Sequence, residues 1–68
     1  MEIILNNKKE VLENKDSISV QEFLEYKNFT YKMLVVKLNN KTIKKELYEK
    51  VQIQNGDNVT VIHLIAGG

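Results

Sequence analysis

The chain has 68 residues, 43% of them apolar, and a formal net charge of +1 from ten lysines, no arginine and nine acidic residues. That length supports one small domain. With no cysteine and one histidine, neither a disulfide framework nor a four-ligand zinc site can brace it, so packing and hydrogen bonding must hold it. The missing arginine, and lysines scattered among the acids, argue against sequence-specific nucleic-acid binding and for a solvated mixed-charge surface.

In chain order, "MEIILN" alternates, with Met1, Ile3 and Leu5 on one face and Glu2, Ile4 and Asn6 on the other. A period of two with β-branched residues predicts a half-buried strand. Asn6-Asn7-Lys8 is turn chemistry, and a return strand around Val11 and Leu12 completes a β-hairpin. The period then changes. Ser19 and Glu22 have capping-box spacing, Val20, Phe23, Leu24 and Lys27 recur at helical spacing, and Ile18 can staple onto Phe23. This predicts a helix over residues 20–27, ending near Asn28. Leu34, Val36 and Leu38, the turn Asn39-Asn40-Lys41 and a short strand at Ile43 form a second hairpin candidate. "KKELYEKV" reads as one helical turn that buries Leu47, Tyr48 and Val51. Asn55-Gly56-Asp57 is a turn. In the last strand, "NVTVIHLI", Val59, Val61 and His63 alternate with Thr60, Ile62 and Leu64.

The resulting order, β-β-α-β-β-β, is α+β, with one helix packed on one face of a mixed sheet. A β-grasp (ubiquitin-like) roll fits it, with the first and last strands parallel and adjacent at the sheet centre. Residues 1–65 are expected to form this domain and residues 66–68 a flexible tail. The expected core is Met1, Ile3, Leu5, Val20, Phe23, Leu24, Val36, Leu38, Ile43, Val59 and Val61. The longest apolar run, "MLVV", is too short to span a membrane. The start "MEIILNN" has no signal-like pattern, so a cytoplasmic protein is expected.

Little in the sequence suggests internal catalysis or a metal site. No serine or cysteine stands at suggestive spacing from a histidine and an acid, and no glycine-rich phosphate loop is present. Asp57 reads as a turn residue, His63 as a surface or edge histidine before an acid or base, and Lys44-Lys45 as a solvated helix start. Two features remain. Ile4, Ile62 and Leu64 point away from the helix-facing set; together they would mark a partner site, and scattered they would be ordinary surface aliphatics. The second feature is the ending Ala66-Gly67-Gly68. Glycine lacks Cβ and can pass a constriction closed to other residues. A carboxylate with a pKa near ~3.5 is ionised and unreactive at neutral pH. Conversion to an acyl-adenylate by a separate enzyme would make Gly68 an acyl donor, with Gly67 and Ala66 positioning it.

The segments "MEIILNNKKE", "SVQEFLE", "LNNKTIKKELYEKVQIQNGDNV" and "LIAGG" together resemble the ThiS family, the ubiquitin-like sulfur carriers of thiamine biosynthesis, across essentially the whole chain. Lys44 departs from the family pattern, where a proline is frequent. The resemblance implies a carrier, not an enzyme, and no bound cofactor. A ThiF-type adenylating enzyme would activate the Gly68 carboxylate with ATP, and a persulfide donor would supply sulfur to give a thiocarboxylate. That group would serve a ThiG-type thiazole synthase. A molybdopterin-synthase small-subunit type of carrier shares this fold and tail chemistry. A protein modifier conjugated to lysines and a plain interaction domain are further alternatives.

Overall fold

A computed structural model describes residues 1–29 and 33–64 of the chain. The expected boundary at residues 65 and 66 therefore lies outside the described residues. The helix α1 runs Val20–Tyr26 and begins as its sequence requires. The Ser19 hydroxyl accepts from the Glu22 amide at 3.0 Å and donates to the Glu22 carboxylate at 3.2 Å. The Val20 and Gln21 amides, which have no acceptor within the helix, donate to the Val51 and Tyr48 carbonyls at 3.0 and 2.9 Å. Ile18 and Phe23 are both buried, as a hydrophobic staple needs. The helix stops one residue short of the expected end, because Asn28 turns left-handed at φ 59°. The Phe29 amide then reaches back to the Leu24 carbonyl and the Asn28 amide to that of Glu25, a Schellman closure with asparagine in the place glycine usually takes. Lys27 becomes the cap residue, and its ammonium pairs with Glu10 at 3.0 Å.

The main sheet contains β1 (Glu2–Leu5), β2 (Lys8–Val11), β4 (Leu34–Leu38), β5 (Lys41–Ile43) and β7 (Asn58–His63), in the order β2-β1-β7-β4-β5. β1 and β7 are parallel neighbours near its centre, and the other pairings are antiparallel. This is the expected β-grasp arrangement. Two three-residue strands, β3 (Ser17–Ser19) and β6 (Gln52–Gln54), form a small second sheet. They correct the predicted β-β-α-β-β-β order: three residues carry no readable alternation, and only Ile18 opposite Ile53, both buried, marks the pair. The first return strand also lies slightly earlier than expected, with Leu12 beyond its end.

Both hairpins turn on asparagine pairs. Asn6, Asn7, Asn39 and Asn40 all have positive φ, between 49° and 70°, as a type I′ turn demands. Asn55-Gly56-Asp57 closes against the start of β1. Gly56, at φ 88°, donates to the Glu2 carbonyl, the Asn55 side chain accepts from the Glu2 amide, and the Asp57 carboxylate accepts from the Gln54 amide. A positive φ there favours glycine.

The core joins Ile3, Leu5, Val36, Val59 and Val61 of the sheet to Val20, Phe23 and Leu24 of the helix, with Leu12, Ile18, Tyr48 and Ile53 completing it. Met1, Leu38 and Ile43, expected to be buried, are half-buried against its margin. Leu47 corrects the predicted helical turn. Lys45–Leu47 is a single 3-10 turn, in which successive side chains point about 120° apart; Tyr48 enters the core and Leu47 is exposed. His63 shares the core-facing parity of Val59 and Val61, yet it is exposed, since the covered part of β7 ends at Val61.

Burial raises the Tyr48 phenol above its ordinary pKa of 10.0. In the unfolded chain the phenol ionises near its ordinary value, while the folded chain retains the proton. Above that pH the unfolded state binds fewer protons, so stability should fall as pH rises through the folded pKa. Tyr48→Phe should remove that part of the alkaline loss, measured by urea denaturation from pH 8 to 11. A wild-type and Tyr48→Phe difference that stays constant with pH would contradict it.

Candidate functional site

The sheet has one face under α1 and one open face, and strand parity assigns residues to each. On the open face Glu2 and Ile4 of β1 lie beside Val11 and Lys9 of β2, and Lys9 and Glu2 form an exposed ion pair at 3.5 Å. On β7 the same face carries Asn58, Thr60 and Ile62, followed by Leu64. Val35 of β4 lies opposite Ile62, and Lys37 lies opposite Thr60. The Leu64 amide donates to the Met33 carbonyl at 2.9 Å, which carries the same register one pair further.

This register separates the trio singled out in the sequence. Ile62 (41% exposed) and Leu64 (45%) sit with Met33 (48%) and the half-buried Val35, as two cross-strand pairs at the end of β7. Ile4 is opposite Asn58, four residues back along β7 from Ile62, a distance of roughly 13 Å at strand rise. Ile4 therefore borders Val11 and the Glu2–Lys9 pair, not the Ile62 group. Met33 and Val35 were missed as members of the patch. Their parity against Leu34 and Val36 was present in "MLVV", but only the β4–β7 register places them next to Ile62 and Leu64.

Four adjacent apolar side chains, flanked on the same face by Lys37 and Thr60, form a surface suited to desolvation by a partner. In sequence, Gly67 and Gly68 lie three and four positions after Leu64. Ala66, Gly67 and Gly68, assigned to the tail and its chemistry, lie outside the described residues.

The other side of β7 is held by an asparagine. The Asn6 amide donates to the Val59 carbonyl at 2.9 Å. Its side-chain oxygen accepts from the Val61 amide at 2.8 Å, and its side-chain nitrogen donates to the Val61 carbonyl at 3.2 Å. At the opposite end of β7, Asn39 accepts from the Asn58 amide at 2.9 Å and donates to Asp57 at 3.1 Å. Among the described residues, no group of three or more His, Asp or Glu could hold a metal ion, and no helix is long and apolar enough to cross a membrane.

Among the described residues, a single α-helix on a mixed sheet with parallel first and last strands defines a β-grasp domain, with an apolar patch at the end of its last strand. The same fold occurs in the thiamine biosynthesis protein ThiS from Geobacter metallireducens. Its crystal structure superposes with a TM-score of 0.91 over all of both chains at 23% identity. Its solution structure gives 0.83 over all of this chain and 88% of that one. The ThiS family model matches residues 2–68. The sulfur carrier protein ThiS of Bacillus subtilis is 31% identical over 62 residues, covering 91% of this chain and 94% of that protein. An uncharacterized protein, ycf40, of Trieres chinensis is 30% identical over 53 residues, 78% of this chain and 73% of its own length. The chain belongs to the ThiS family.

Proposed function

We propose that this chain is a sulfur carrier of thiamine biosynthesis whose reacting group is the carboxylate of Gly68. The observation that carries the reading is the family match over residues 2–68, joined to an exposed apolar patch on the strand leading towards Gly67 and Gly68. A ThiF-type enzyme docks on Met33, Val35, Ile62 and Leu64 and binds ATP. A Gly68 carboxylate oxygen attacks the α-phosphorus, pyrophosphate leaves, and the acyl-adenylate forms. The terminal sulfur of a persulfide donor then attacks the acyl carbon and expels AMP. A thiol then attacks the donor's sulfur in the resulting acyl disulfide, forming a new disulfide with the donor and releasing the thiocarboxylate, which a ThiG-type thiazole synthase consumes. Glycine at positions 67 and 68 supports each attack, because no side chain flanks the reacting carbon.

The test is intact-mass measurement after incubation with a ThiF-type enzyme, ATP and a persulfide donor. Replacement of one oxygen by sulfur at Gly68, dependent on ATP, is expected. An unchanged mass with enzyme and donor shown to be active on another ThiS protein would end the reading.

Docking has its own test. Ile62→Asp places a carboxylate in the apolar contact, which is unfavourable unless it is paired. For a central contact worth about 2 kcal/mol, affinity for the adenylating enzyme should fall about thirtyfold. Because Ile62 is exposed, the thermal midpoint should barely change. Wild-type affinity from a folded Ile62→Asp chain would remove the patch from the interface.

A further inference from the structure

β1 ends before β7 does. Their register contains the pairs Ile4 with Asn58 and Leu5 with Val59, and at Asn6 the main chain turns away with φ 49°. In an uninterrupted parallel ladder, the Asn6 main-chain carbonyl would accept from the Val61 amide, and the next residue on that edge would donate to the Val61 carbonyl. Here the Asn6 side-chain amide makes both contacts, at 2.8 and 3.2 Å. It continues the strand after the backbone has left.

We propose that Asn6 is a positioning residue for tail activation: its side chain holds β7 at Val61 from the β1 side and so sets the direction in which the chain leaves the sheet at Leu64. This rests on the carrier reading. A strand bonded along one edge only can roll about that edge, and β7 has β4 on its other edge through Leu64. Bonds to both the N–H and the C=O of Val61 oppose that roll. Leu64 lies three positions beyond Val61, about 10 Å of strand, so a small change of strand direction at Val61 becomes a larger displacement at Leu64. An error of about 1 Å at a reacting group can cost on the order of a hundredfold in rate.

Asn39 supplies the control. Its side-chain oxygen likewise accepts from a β7 amide, that of Asn58, while its side-chain nitrogen donates to the Asp57 carboxylate, at the far end of β7 from the exit. Both asparagines have positive φ, so glycine at either site preserves the turn and removes only the side chain.

The experiment measures ATP–pyrophosphate exchange by a ThiF-type enzyme as a function of carrier concentration. For Asn6→Gly, kcat should fall about ten- to a hundredfold while KM stays within about twofold, because β4 still holds the docking patch. For Asn39→Gly both constants should stay within about twofold of wild type. Hydrogen exchange at the Val61 amide should accelerate in Asn6→Gly and not in Asn39→Gly. If Asn6→Gly fails to fold, Asn6→Asp decides. It keeps the acceptor for the Val61 amide but opposes the Val61 carbonyl with a carboxylate oxygen, and kcat should fall at least about fivefold. Wild-type kcat in a folded Asn6→Gly or Asn6→Asp chain, or an equal loss in Asn39→Gly, would overturn the role of Asn6 alone. No exchange with the wild-type chain would overturn the carrier reading and this role with it.

Discussion

A chain extended by one alanine after Gly68 should fold like wild type and remain at its unmodified mass under conditions that convert wild type fully to the thiocarboxylate. One added residue displaces the carboxylate by about 3.5 Å. That is several times the misplacement that already costs on the order of a hundredfold, so neither adenylate nor thiocarboxylate should be detectable. Gly67→Val should be impaired as well, since a β-branched side chain is wider than glycine and stiff at χ1. Its docking affinity should match wild type, because the patch at Ile62 and Leu64 is untouched. Intact mass after timed incubation reads both variants. Activation of the untrimmed extended chain at the wild-type rate would show that the glycine pair has no positioning role.

Phe23→Ala should be the most damaging single change to stability. The phenyl ring is fully buried, on the helix and within the cluster that includes Ile3, Leu5 and Val59. Deleting a buried aromatic side chain removes its transfer free energy and leaves a cavity, together about 3–5 kcal/mol. A domain of this size has a total stability of about 5 kcal/mol, so about 0–2 kcal/mol should remain and between roughly 3% and 50% of the variant should be unfolded at 25 °C. Urea denaturation followed by circular dichroism checks it. A wild-type midpoint would mean that the ring is not part of the core.

The two predictions draw on parts of the molecule that differed in how legible they were. Ser19, Glu22 and Phe23 marked the start of the helix because capping and stapling act within five residues. The asparagine pairs marked the hairpins for the same reason, through local backbone angles. Ile18 and Ile53 were not recognisable as paired, since each lies in a three-residue strand and they meet across 35 positions of sequence. Strand alternation correctly placed Ile4, Ile62 and Leu64 on one face. It carries no information on register, however, and the four-residue offset between β1 and β7 sets Ile4 apart. Asn6 read only as a turn residue, because its second role requires Val61 to be beside it. The chemistry proposed for Gly67 and Gly68 rests on glycine itself and on the resemblance, not on any packing pattern.

The central position of β7 also affects how the protein is made. β1 and β4 are synthesised well before the strand that separates them, and neither can take its final neighbour until residues 58–63 have left the ribosome. Until then the main sheet can close only its local hairpins, β1 with β2 and β4 with β5. Such incomplete sheets are open to pairing with other chains, although lysines on the outer strands, Lys8, Lys9 and Lys41, discourage this. Assembly of the full sheet therefore depends on the arrival of its last-made strand, and contacts of such long sequence separation slow that final step.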